Sequence, residues 1–211
     1  MKKIRLIILG ALSLLMMTGA AQAGPMLFAG NGHYYDVIYS TGPISQADAL
    51  AAAAASTNLG QTGYLATITS AAEQSFITNL LDDFNAWIGL GDAATEGTYL
   101  WLDGPEAGTD TTATYQNWVA NGINIEPNDP DGNEDAVFLA ANPGILGYAG
   151  GVGRWLDING SGQVFSSNGS EIEQARVAGY VVEYATVPEP SIIALFGLGL
   201  LGMGFARRRK A

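Results

Sequence analysis

The basic residues of this chain lie almost entirely at its two ends, and that placement divides it. Of nine Lys and Arg residues, Lys2, Lys3 and Arg5 precede an apolar run from Leu6 to Met17. Arg207, Arg208, Arg209 and Lys210 follow an uncharged run from Ser191 to Ala206. Only Arg154 and Arg176 stand between. A positive start, a short apolar run and the small-residue pattern Ala21-Gln22-Ala23 read as a secretory signal cleaved after Ala23. The second run is at the lower edge of what crosses a bilayer, and the basic cluster after it would stay on the cytoplasmic side. Three parts are expected: an export signal at 1–23, one domain at 24–186, and a tail at 187–211 holding a short membrane-spanning segment and a basic end.

With both ends set aside, the charge balance sharpens. Of the twenty acidic residues only Glu189 lies outside 24–186. Two bases then stand against nineteen acids, a formal charge of about −17. Such a surface repels nucleic acid and anionic membranes and attracts cations. The domain is nonetheless core-forming, because Trp87, Trp101, Trp118 and Trp155 each sit among apolar residues. The chain has no cysteine, which excludes disulfides, thiol catalysis and cysteine-based metal centres. His33 is the one histidine. In a strand-like run beside Tyr34 and Tyr35, it reads as a packing or surface residue.

The element order reads as α+β. A strand is expected at His33–Tyr39. Ser45-Gln46-Ala47-Asp48 caps an Ala-rich helix ending near Asn58-Leu59-Gly60, and Tyr64–Ile68 reads as a strand. Ser70-Ala71-Ala72-Glu73 caps a second helix, whose apolar face is Phe76, Ile77, Leu80 and Leu81. Short apolar runs follow at Ala86–Leu90, Tyr99–Leu102, Ala136–Leu139, Arg154–Ile158 and Tyr180–Tyr184.

Between Ala120 and Asn133 the chain is polar, acidic and Pro-containing, the composition of a functional loop. Glu126-Pro127-Asn128-Asp129 and Asn133-Glu134-Asp135 supply hard oxygen donors of the kind calcium takes in groups of six to eight. Asp92 and Glu96 form a second acidic pair, and Asp157 follows Trp155. An EF-hand is excluded, since counting from Asp129 the glycine comes too early and position twelve is Ala140.

Taken in order, Trp87-Ile88-Gly89-Leu90, Trp101-Leu102-Asp103-Gly104, Tyr115-Gln116-Asn117-Trp118, Glu126-Pro127-Asn128, Asn133-Glu134-Asp135, Trp155-Leu156-Asp157 and Gly179–Tyr184 resemble the C-type lectin domain. The resemblance implies a C-type lectin-like fold: two helices packed on antiparallel sheets, with a long calcium and ligand loop region, here free of disulfides. It implies a sugar-binding calcium on Glu126, Asn128, Glu134 and Asp157. It also implies an accessory calcium on Asp92, Glu96, Asp129, Glu134 and Asp135. Leu156 stands where the family's motif has an Asn, so one ligand is missing. Strand alternation sets Leu156 opposite Trp155 and Asp157, toward the core. The tail, with Val187-Pro188-Glu189-Pro190, one short span and an Arg-rich end, resembles the PEP-CTERM sorting signal of exopolysaccharide-producing Gram-negative bacteria. That resemblance implies signal peptidase and exosortase processing, with transient insertion in the inner membrane.

The expected function is therefore an exported carbohydrate-binding, calcium-binding protein at the cell surface or in the extracellular matrix, associated with exopolysaccharide. Its partner would be a polysaccharide or surface glycan. The alternative is an adhesion or structural protein that uses the fold for contacts with a surface protein. Enzymatic activity is not expected. Glu126 and Glu134 as a glycosidase pair would need an apolar pocket to keep one protonated, whereas the loop reads as wet and crowded with carboxylates.

Overall fold

The computed structural model describes residues 24–120, 125–128, 132–141, 151–163 and 176–186. The expected export signal at 1–23 and tail at 187–211 lie outside the described residues. Among the described residues no helix is long and apolar enough to cross a membrane.

In chain order the elements are β1 (Met26–Leu27), β2 (Tyr34–Tyr39), α1 (Gln46–Ala55), β3 (Thr57–Asn58), β4 (Gln61–Thr62), β5 (Tyr64–Leu65) and α2 (Ala71–Thr78). After them come β6 (Asn85–Gly91), β7 (Leu100–Trp101), a 3₁₀ turn (Thr111–Ala113), β8 (Ala136–Leu139), β9 (Trp155–Ile158) and β10 (Val177–Tyr184). Both expected caps form: the Ser45 hydroxyl accepts the Asp48 N–H at 3.1 Å, and the Ser70 hydroxyl accepts the Glu73 N–H at 3.2 Å. The first helix stops three residues short of Asn58. Leu59 (φ 49°) and Gly60 (φ 81°) instead supply two consecutive left-handed residues, the requirement of a tight two-residue hairpin turn between β3 and β4.

One large sheet runs in the order β1-β2-β10-β6-β8-β9, with β5 also on β10 and β7 also on β6. The pairings are antiparallel except β10 on β6, which is parallel. The last strand thus returns between the first and the middle ones, which only a crossover can achieve. All eight residues of β10 are buried.

Strand alternation splits the core between the two faces of this sheet. On one face lie Tyr35, Ile88, Val137, Leu139, Trp155 and Val181, covered by Ile77 of α2. On the other lie Trp87, Phe138, Leu156 and Val182, covered by Ala49 and Ala53 of α1. Two indoles are held by their N–H groups: Trp87 donates to the Ile44 carbonyl and Trp155 to Gln74 Oε1, each at 2.7 Å.

Leu156 is 2% exposed and pairs with Phe138 across β8 and β9. Its side chain belongs to the α1 face, whereas Trp155 and Asp157 point to the α2 face. An Asn here would remove apolar packing and bury an amide without partners. Leu156→Asn should lower the unfolding free energy by about 3 kcal/mol, read as a reduced urea midpoint at unchanged slope. A variant as stable as the parent would contradict this placement.

Candidate functional site

The strand ends and the loops beyond them bring Glu126 beside Asp157 and Asp92 against the backbone of Asp135. The first group is built on β9. Asp157 is 2% exposed and accepts the Tyr99 hydroxyl on Oδ2 at 2.6 Å. Tyr99 is fixed edge-on to Trp118 at 4.8 Å, and Trp118 to Trp155 at 5.6 Å, so an aromatic stack sets where that hydroxyl points. The other Asp157 oxygen, Oδ1, is buried and meets no donor among the described residues. Glu126 lies beside it and is itself buried, at 4% exposure. This differs from the wet loop that the sequence implied. The cause is local pairing: the Glu126 N–H donates to the Val119 carbonyl at 2.9 Å, Ile125 bridges Ala120, and the segment is drawn against the sheet. The Glu126–Pro127 peptide is cis, and Asn128 Nδ2 donates to Glu126 Oε2 at 2.5 Å.

Electrostatics follow from that geometry. Burial pushes the Asp157 carboxyl up to about 7, the Glu126 charge adds to the effect, and the Tyr99 hydroxyl opposes it. Two carboxylates share a dry pocket where an uncompensated charge costs several kcal/mol. Either a proton or a cation must settle the pair.

The second group joins the end of β6 to the start of β8. Asp92 is buried, its N–H donates to the Asp135 carbonyl at 3.2 Å, and its Oδ2 accepts the Gly97 N–H at 2.9 Å. Side chains are excluded where the two segments touch: a Cβ at Gly91 would overlap the Asp135 carbonyl. The Glu96 carboxylate faces Gly132, where a Cβ would lie 3.8 Å from Oε2. Glu134 and Asp135 are half-buried. Asp129 lies outside the described residues, so its expected part in this group is not placed. Among the described residues, no three acidic or histidine side chains converge closely enough to form a complete metal centre.

Tyr99 was read only as part of a strand, yet it positions Asp157. The available signal was its register, two residues before Trp101, which puts a hydroxyl-bearing ring on the buried face. Gln74 is a second such residue. It holds the Trp155 indole and donates to the Gly153 carbonyl at 2.9 Å, tying α2 to the start of β9.

The family model described as the lectin C-type domain matches residues 49–161, more than half of the chain. A PEP-CTERM protein-sorting motif matches residues 186–210. The chain belongs to the C-type lectin domain family, and it carries that sorting motif. Halomucin of Haloquadratum walsbyi is 43% identical over 79 residues, 37% of this chain and 1% of halomucin. Human asialoglycoprotein receptor 2 is 34% identical over 98 residues, 46% of this chain and 26% of the receptor. Lectin BRA-3 of Megabalanus rosa is 37% identical over 94 residues, 44% of this chain and 47% of the lectin. The chain spans less than half the length of each of these relatives. Among solved structures, human lithostathine aligns with a TM-score of 0.51 at 18% identity, over 82% of this chain and 99% of that one. The mouse scavenger receptor C-type lectin carbohydrate-recognition domain aligns at 0.50 and 19%, over 77% and 96%. These two alignments show the fold. The fold is thus C-type lectin-like and disulfide-free, in a family typically made of binding proteins and not enzymes.

The role of Tyr99 is directly measurable. In chelator, the Asp157 carboxyl should titrate near 7 by carbon NMR. Tyr99→Phe removes a hydrogen bond to the charged form, a loss of roughly 1.5 kcal/mol, and should raise the midpoint by about one unit. An unchanged midpoint would show that the hydroxyl does not hold Asp157.

Proposed function

We propose that this protein is an exported, calcium-dependent carbohydrate-binding protein of the cell surface or matrix, associated with exopolysaccharide. Its mature domain is 24–186. The observation that carries the reading is the buried pair Glu126–Asp157, with Asn128 against it. All three are oxygen donors, and the Asp157 Oδ1 meets no hydrogen-bond donor among the described residues. The donor chemistry fits calcium, which takes carboxylate and amide oxygens. Glu126, Asn128, Glu134 and Asp157 would hold one ion, and Asp92, Glu96, Asp129, Glu134 and Asp135 a second. The bound ion would supply open coordination positions for vicinal sugar hydroxyls. The protein's share is to align the carboxylates, with the Tyr99 hydroxyl favouring ionised Asp157 against its burial.

The membership in a lectin family supports the glycan assignment. The sorting motif supports export, with removal of the tail near Pro188-Glu189-Pro190 by an exosortase-type protease. A second reading has one observation in its favour. The position that the family's motif gives to an Asn ligand is Leu156, and its side chain is in the core. Calcium would then only brace the loops, and the domain would act in surface adhesion through protein contacts.

A glycan array probed in calcium and again in chelator separates the two readings. The proposal expects retention on mannose- or glucose-type sugars in calcium, lost in chelator and lost in Glu126→Gln. Calcium-stabilised protein that binds no glycan in either condition would favour the adhesion reading and end the lectin one.

A further inference from the structure

A second cell of buried acids lies on the sheet where β2 pairs with β10. Glu73 and Glu183 are 2% and 1% exposed. The Tyr35 hydroxyl lies between them, in contact with Glu73 Oε1 and 3.0 Å from Glu183 Oε1. Asn31 Nδ2 donates to the Tyr35 hydroxyl at 2.7 Å and to Glu73 Oε1 at 3.0 Å. His33 Nδ1 is 2.5 Å from Glu183 Oε1. The remaining carboxylate oxygens are filled. Thr67 donates its N–H to Glu183 Oε2 at 2.9 Å, and Thr69 donates its N–H to Glu73 Oε2 at 2.8 Å. Two further titratable groups face the cell: Glu106, which accepts the Thr67 hydroxyl at 2.9 Å, and Tyr64 on β5.

Proton counting makes this cell unusual. Tyr35 has one hydroxyl proton and two carboxylate oxygens in contact with it. If it donates to one, the other contact sets two bare oxygens together unless a second proton is present. A proton on Glu73 satisfies everything: Glu73 donates to the Tyr35 oxygen, and Tyr35 and His33 both donate to Glu183 Oε1. Burial raises the Glu73 carboxyl above its ordinary range, and the Glu183 charge adds to this. The contact with Glu183 raises His33 above 6.5.

The cell ties together β2 (Tyr35), the α2 N-terminus (Glu73) and β10 (Glu183, paired with Tyr35). Just beyond it, Gly32 packs on Thr186, whose Oγ1 would lie 3.4 Å from a Cβ there. Thr186 is also where the sorting motif begins. We propose that His33, Tyr35, Glu73 and Glu183 form a proton-operated clamp that holds β2 and β10 together at the root of the C-terminal tail. It is closed in mild acid and loosened as pH rises. The sign follows from the two raised groups. Each binds its proton more tightly in the folded state, so each contributes stability at low pH that is lost as pH rises through its folded value. Deprotonation leaves Glu73, Glu183 and Glu106 charged together, with a neutral histidine.

The test is hydrogen exchange on the full chain in chelator, read as protection factors at pH 6 and pH 8. Chelator removes any cation from the loop groups. The β2 and β10 amides at Tyr34, Tyr35, Glu183 and Tyr184 should lose about tenfold in protection at pH 8. The amides of β8 serve as the internal reference, because Asp157 and Asp36 also titrate upward of their usual range. Glu73→Gln imitates the protonated acid and should lose clearly less protection than the parent, the remainder reporting His33 and Asp36. Equal protection in the parent, or a full tenfold loss in Glu73→Gln, would overturn the clamp. If the variant does not fold, the parent decides alone: a Glu73 carboxyl titrating in the ordinary glutamate range by carbon NMR overturns it, and a raised midpoint supports it.

Discussion

Five carboxylates, Glu73, Asp92, Glu126, Asp157 and Glu183, are buried in a chain whose domain has two arginines and one histidine. Arg154 is spent on Asn117 at 3.0 Å, and Arg176 lies over the Phe84 ring at 5.7 Å. A buried charge without compensation costs several kcal/mol, comparable to the whole stability of a domain this size. Hydrogen-bond donors reach these acids differently at each place. Glu183 collects a backbone N–H, the Tyr35 hydroxyl and the histidine. Asp92 takes a backbone N–H from the turn it starts. Asp157 takes one hydroxyl, with another carboxylate beside it. Donor supply is thus richest at Glu183 and poorest at Asp157.

Much of this was legible in the sequence because it is local. The Ser45 and Ser70 caps sit where their hydroxyls meet the first free N–H groups, and strand β8 occupies the run read for it. The alternation that sets Leu156 opposite Trp155 and Asp157 needed only the period of a strand. What escaped was contact between distant segments. Nothing near Tyr99 announces Asp157, 58 residues away, and nothing near His33 announces Glu183, 150 residues away. The parallel pairing of β10 on β6 and the burial of Glu126 were hidden for the same reason. The acidic composition of the loop concealed a backbone pairing that pulls one of its acids inside.

Leu156 shows how the two cores and the site are coupled. The β9 strand can offer only alternate residues to one face, so Asp157 reaches the α2 side by the same geometry that commits Leu156 to Phe138 and Trp87. A ligand at position 156 would need the strand to twist or the second core to be rebuilt. Asp157 and Glu126 therefore meet on the α2 side, with Tyr99 on the one and Asn128 on the other.

The central claim, that the Glu126–Asp157 pair is a cation site, is tested most directly by calcium calorimetry in buffers of different ionisation enthalpy near pH 7. Calcium requires the ionised carboxylate, so binding must displace the proton that Asp157 retains when its carboxyl titrates near 7. The account predicts binding accompanied by release of roughly half a proton at that pH, absent in Asp157→Asn. Absence of calcium binding, or binding with the same proton release in Asp157→Asn, would contradict it.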